Sequence, residues 1–345
     1  LSAKRRNHFL PRFLLNRFAS KADPKKNKFK IWVIPKLGEP RELSTKDVAV
    51  KKKMYGLDPD LEDRLSEKEG DWAHIFREIA NGQNPNDFSA DLSNLIWLQA
   101  WRTRSIRMRF EDLILNLLTE MRDQIYKINF IEKIYPHLAY RFWQKLSTLN
   151  NKELLFAYEN CRVFGIYTTV ELAVTAYISG GAFQEELYKS VHRMIDPEVM
   201  NDAIKESFNK TLLEAASYRE SASAWNIPNW EVWDFPELDL VLGDCGIICS
   251  KSGGDLGPVK DATNWDHIIL PIDPGRCIVG NRNSYLKRMT SSDLNSAISK
   301  SSINEIFSSR INQENLMLRD NINTNSAILN EEEMSSLLKN LWDLN

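Results

Sequence analysis

The chain has 345 residues, with 45 Lys+Arg against 47 Asp+Glu, a formal net charge of −2. With 43% hydrophobic and 27% charged residues it has a globular composition, which excludes a wholly basic nucleic-acid coat and an acidic disordered tail protein. The charge is uneven: residues 1–53 hold 16 Lys/Arg and 4 Asp/Glu, while the rest hold 29 against 43.

In chain order, FKIWVIP (Phe29–Pro35) has strand character. Gly38–Pro40 is a turn signal, and a short strand at Arg41–Leu43 would pair back as a hairpin. Ser44–Asp47 reads as a short helical turn. From Leu57 the period is helical. Leu61, Leu65, Trp72, Ile75, Phe76 and Ile79 share one face of a first helix, ended by Asn81-Gly82. Asn86-Asp87 opens a second helix with Phe88 to Ile106 along one stripe, a third spans about 111–127 and a fourth about 131–146. An apolar helix is expected over 159–178, and shorter helices over 183–194, 197–208 and 210–219. From Trp225 the pattern turns to strands: one or two β segments in LDLVLGDCGIIC (Leu238–Cys249), broken at Gly243, then His267–Pro271 and Cys277–Val279. A last helix is expected over 291–309, followed by a polar helical tail.

The fold class that follows is α+β. A mostly helical middle carries a small N-terminal β hairpin and a C-terminal β region packed on one side. The boundaries expected are 1–56 for the basic motif and hairpin, 57–224 for the helical region, 225–310 for the β region and closing helix, and 311–345 for the tail. The stretch 161–178 contains Arg162 and Glu171, so a buried helix is expected there and not a membrane span. Four cysteines without paired CxxC spacing suit reduced, buried thiols in a cytoplasmic protein. Cys245 and Cys249, read as one strand, would share a face.

NHFLPRFLLNRF (Asn7 to Phe18) is the most distinctive segment. His8, Pro11, Phe13, Leu15 and Phe18 form a His-x-x-Pro-x-Phe-x-Leu-x-x-Phe pattern. This resembles the opening of a widespread, mainly bacterial family, the domain-of-unknown-function family numbered 4238. Ser44–Ala49 through Tyr55, the helix at Leu61–Ile79 and Gln99-Ala100-Trp101-Arg102-Thr103 resemble later family segments in the same order. Asp244, Pro271 and Pro274 match parts of two C-terminal family motifs. The resemblance implies no established reaction.

Four groups are candidates for chemistry. His8 has the side chain suited to general acid–base work, or it is a histidine that anchors the N-terminus. Gln99 and Arg102 lie one turn apart on an apolar stripe. With Asn7 they would bind an anion, or Arg102 would form a structural ion pair with Asp244 or a Glu of the first helix. Asp244 and Asp273, at strand ends, would complete a catalytic site with His8 and hold a divalent cation, or else cap turns. Lys4-Arg5-Arg6, Lys25-Lys26, Lys28, Lys30 and Lys51–Lys53 alternate with Phe9, Phe13, Phe18, Phe29 and Trp32, a pattern suited to RNA or DNA. The alternative is a basic unit docked on the acidic remainder of the chain.

GIICSKS (Gly246–Ser252) lacks the glycine before Lys251-Ser252 that a phosphate loop needs. GxGxxG, HExxH and GxSxG are absent. Three functions stay open: a nuclease-like enzyme in a bacterial conflict or phage-defence setting, a non-catalytic module binding nucleic acid or a phosphorylated ligand, and an interaction protein docking a partner through its tail.

Overall fold

The computed structural model describes residues 6–52, 59–124, 182–196, 199–200, 206, 227–250, 255–259 and 265–325. The helices expected at 131–146, 159–178 and 210–219 lie outside the described residues, as do Cys161 and almost all of 197–208. The chain divides into two compact units. One is Leu1–Glu111 with Ile204–Glu333, and the other is Asp112–Ala203 with Met334–Asn345.

The first unit opens with β1 (Arg6–His8), α1 (Arg12–Arg17), β2 (Lys21–Asp23), β3 (Lys28–Pro35), β4 (Arg41–Ser44) and β5 (Val50–Lys52). Pro11 sits at the N-cap of α1, where its fixed φ costs no helical hydrogen bond. Leu14, Leu15 and Phe18 of this segment are buried, and Phe13 stands edge-on to Phe76, 5.5 Å between centroids. The apolar and proline residues of the N-terminal motif therefore build packing. β1 pairs with β5, and β3 pairs with β4 as the expected hairpin, Lys30 opposite Ser44.

Helices α2 (Pro59–Ala80), α3 (Ser89–Arg102) and α4 (Arg104–Gln124) follow. The buried side chains of α2 are the six that the helical period picks out. The second helix ends earlier than expected. Thr103 adopts an extended ψ of 147° and its hydroxyl donates to the Ala100 carbonyl at 2.8 Å. Ile106, read as the end of one stripe, thus belongs to the next helix, which begins at Arg104.

The C-terminal part holds β6 (Asn229–Asp234), β7 (Leu242–Gly243), β8 (Ile248–Ser250), β9 (Gly257–Pro258), β10 (His267–Asp273), β11 (Arg276–Asn281), α6 (Ser291–Ser301), β12 (Glu305–Ser308) and α7 (Gln313–Met317). Strands β6-β11-β10-β8-β9 make one sheet. Strands β2-β3-β12-β7 make a second, with β4 also paired to β3. The segment 238–249 thus supplies two β segments, β7 and the start of β8, in different sheets. Gly243–Gly246 is the turn that carries the chain between sheets. A Cβ at Gly243 would come within 2.4 Å of Ser302 Oγ, and Gly246 has φ +70°.

The last helix is shorter than the 291–309 expected. It stops at Ser301, and Ile306 and Phe307 lie on β12, both fully buried. A strand buried on both faces shows no alternation, so its apolar residues can imitate helical spacing. Residues 313–325 pack back on α6 and the chain just after it. Ser299 Oγ donates to the Leu318 carbonyl, Asn323 N donates to Ser302 O at 2.8 Å, and Ile322 is fully buried.

The second unit contains α5 (Ala182–Ile195), with a Lys189–Glu185 ion pair at 2.6 Å and Tyr188 stacked on His192. Among the described residues no helix is long and apolar enough to cross a membrane.

Candidate functional site

The end of α3 brings Gln99 and Arg102 to the backbone of His8 and Phe9, and Asn7 is buried on β1 beside His8. Gln99 Nε2 donates to the Phe9 carbonyl at 3.0 Å, and Arg102 Nη2 donates to the His8 carbonyl at 2.9 Å. Arg102, 2% exposed, also meets Glu69 Oε1 of α2 at 2.7 Å. The guanidinium thus already holds a carboxylate, from a Glu of the first long helix. Gln99 and Leu10 lie against Gly246, so the N-terminal segment and the β7–β8 turn meet.

His8 titrates far from its ordinary range. Its pKa falls from 6.5 to about 4, first because burial disfavours the charged ring. Glu69 opposes the shift, while Arg102 and Arg12 add to it. His8 is therefore neutral at pH 7. Between pH 6.5 and about 4 the unfolded chain binds a proton that the folded chain does not. Stability is full above 6.5 and falls as the pH drops toward 4. Urea unfolding at pH 7 and pH 4.5 should show wild type losing about 2 kcal/mol more than His8→Gln. Equal losses would assign the acid sensitivity to other groups.

Asp244 and Asp273 stand in separate settings. Asp244 is 1% exposed, and its two oxygens accept the amides of Ile303 at 2.7 Å and Asn304 at 2.8 Å. Asp273 closes the β10–β11 turn by accepting Gly275 N at 3.0 Å. It also pairs with Arg17 at 2.9 Å and Arg276 at 3.2 Å. Among the described residues no group of three or more His, Cys, Asp or Glu is placed to hold a metal ion. Cys245, Cys249 and Cys277 take part in no disulfide among the described residues. Cys245 lies in the turn and not on the strand of Cys249, so the two do not share a strand face. Burial pushes the Cys245 thiol up, with Asp244 adding to it, and pushes Cys277 up to about 12.

Lys4, Arg5 and Lys53 of the basic opening lie outside the described residues, and most of the described basic side chains face solvent. Lys21, Lys25, Lys26, Lys28, Lys30, Lys36, Arg41, Lys46 and Lys51 are all exposed. Lys28, Lys30 and Trp32 alternate along β3 on one sheet face, with Lys21 directly opposite Lys30. Lys21 and Lys30 side chains are 71% and 56% exposed, and Trp32 is half-buried. Two acids sit among them: Asp23 lies opposite Lys28, and Glu42 accepts from Lys21 at 2.9 Å, which holds its carboxyl below the ordinary value. Arg12 donates to Asn27 in the exposed turn before β3, and Arg17 turns inward to the Ile272 carbonyl and Asp273. The alternation Lys-Phe-Lys-Ile-Trp was the legible signal for this face.

No curated protein and no solved structure matches the chain. A family described as protein of unknown function (DUF4238) matches residues 6–328, and the chain belongs to that family.

Proposed function

We propose that the protein is a nucleic-acid-binding module, acting in a reducing compartment, whose contact face is the β2–β3–β4 hairpin layer. The observation that carries this is the row Lys21, Lys28 and Lys30 beside half-buried Trp32. Ammonium groups at strand spacing meet successive phosphates, and an aromatic edge offers a base a stacking partner. The named carboxylates favour binding over cleavage, because Asp244 is engaged by two backbone amides and Asp273 by two arginines. Cys245 and Cys277, buried and in no disulfide among the described residues, suit a cytoplasmic setting.

Fluorescence anisotropy with labelled single-stranded RNA and DNA, over a salt series, tests this. Changing Lys21, Lys28 and Lys30 together to Glu should weaken binding at least about 100-fold and lower the salt slope by about one per lysine. Glu42→Gln should tighten it a few-fold. An unchanged triple variant would reject this face. Cleavage in Mg²⁺ that is lost in His8→Ala would instead support a nuclease.

A further inference from the structure

A second group of polar residues lies in the C-terminal sheet, where the pairing of β8, β10 and β11 sets Ser250, His267 and Asn281 in one cross-strand row. His267 and Asn281 are 2% and 1% exposed. Asn281 Nδ2 donates to Glu231 Oε1 at 2.6 Å, and its Oδ1 accepts Leu286 N at 3.1 Å. A carboxylate on one side and a backbone N–H on the other leave the amide one orientation. The same Oδ1 lies 3.1 Å from His267 Nδ1. An oxygen without a proton can only accept, so Nδ1 carries the hydrogen. In the neutral imidazole Nε2 is then the nitrogen with the lone pair, and it faces Ser284 Oγ at 3.5 Å.

Ser284 sits in the loop after β11 and is exposed. The loop is held on both sides of it. The Arg282 guanidinium lies 3.9 Å from the Trp265 ring centroid, Asn283 Nδ2 donates to Asp266 Oδ1, and Leu286 N is on Asn281. The result is an open hydroxyl beside a shielded imidazole whose tautomer is set from behind. That is the geometry an activated nucleophile needs, and such pairs are often looser before substrate binds.

We propose that Ser284 is a nucleophilic serine that takes an acyl group from a carboxylic ester, with His267 as general base and Asn281 as the positioning residue. Ser284 Oγ bonds to the carbonyl carbon as its proton passes to His267 Nε2. The ester C–O bond breaks, and the leaving alkoxide takes that proton from Nε2. Water, deprotonated by the same nitrogen, then attacks the acyl-serine carbonyl. The carboxylic acid leaves and the proton returns to Ser284. The site lies on a different sheet from the lysine face and does not rest on it.

A fluorophosphonate and p-nitrophenyl acetate serve as probes of the full chain. Mass spectrometry of the folded protein should find one phosphonyl adduct, on Ser284, and p-nitrophenolate should be released. Ser284→Ala, an exposed change, should abolish both. His267→Gln should slow labelling about 100-fold or more with an unchanged circular dichroism spectrum. Heat-unfolded wild type should not label, which tests the dependence on fold without relying on the histidine variant. No adduct on Ser284, labelling of the unfolded chain at the native rate, or a folded His267→Gln that labels like wild type would each overturn the proposal.

Discussion

Asp244→Ala is expected to lower the unfolding free energy by about 3–6 kcal/mol, a large fraction of what holds a typical domain together. The carboxylate is 1% exposed and accepts two backbone amides, Ile303 N at 2.7 Å and Asn304 N at 2.8 Å. Those amides lie just past the end of α6, where no helical carbonyl receives them. Each bond to a charged acceptor contributes about 1.5–3 kcal/mol, and truncation leaves Ile303 N buried without a partner. Asp244 N also donates to Glu305 O at 3.2 Å, so the residue ties the β7 turn to the start of β12. Asp244→Asn should cost less, since one oxygen remains to accept one amide while its NH₂ confronts the other. The urea midpoints should therefore order as wild type, Asp244→Asn, Asp244→Ala. A stable Asp244→Ala variant that loses nucleic-acid cleavage would reverse the assignment and make the carboxylate catalytic.

The sequence showed its regular helices and its first hairpin because these obey one period. Leu61 to Ile79 face one core along α2, and β3 alternates inward Ile31 and Val33 with outward Lys30 and half-buried Trp32. What it hid depends on partners distant in the chain. β12 was unreadable because Ile306 and Phe307 are buried together between β3 and β7. Asp244 gave no sign of its role, since its two donors lie some sixty residues on. The His267–Asn281 pairing depends on one irregularity. The hairpin begins with Asp273 opposite Arg276, and that register would set His267 against Arg282. The shift between Pro271 and Asp273 moves the pairing by one residue, which brings Asn281 beside the imidazole. Periodicity cannot report a bulge of this kind, so the row containing His267 appears only once the strands are paired. The question raised by the uneven charge has a divided answer: Arg17 turns to Asp273 of its own chain, whereas Lys21, Lys28 and Lys30 face solvent.

Arg102→Ala is expected to cost about 3–5 kcal/mol, by two routes. It removes the largest of the fully buried side chains and leaves a cavity at the end of α3. It also strips the partner from Glu69 and from the His8 carbonyl, which Arg102 reaches at 2.7 Å and 2.9 Å. Glu69 is 24% exposed against 2% for Arg102, so the two halves of the pair are unequal. A released Glu69 can turn toward water, whereas Glu69→Ala takes the carboxylate from a guanidinium that is 2% exposed and cannot turn to solvent. Glu69→Ala should therefore destabilise by a similar amount despite deleting a more exposed side chain. The double variant should recover part of the combined loss, because no unpaired charge remains. If Arg102 instead serves an external anion, Glu69→Ala would free it, raise affinity for phosphate-bearing ligands and leave stability nearly unchanged. Unfolding and RNA-binding titrations on the same three variants separate these outcomes. The ion pair predicts lost stability with binding to the lysine face intact.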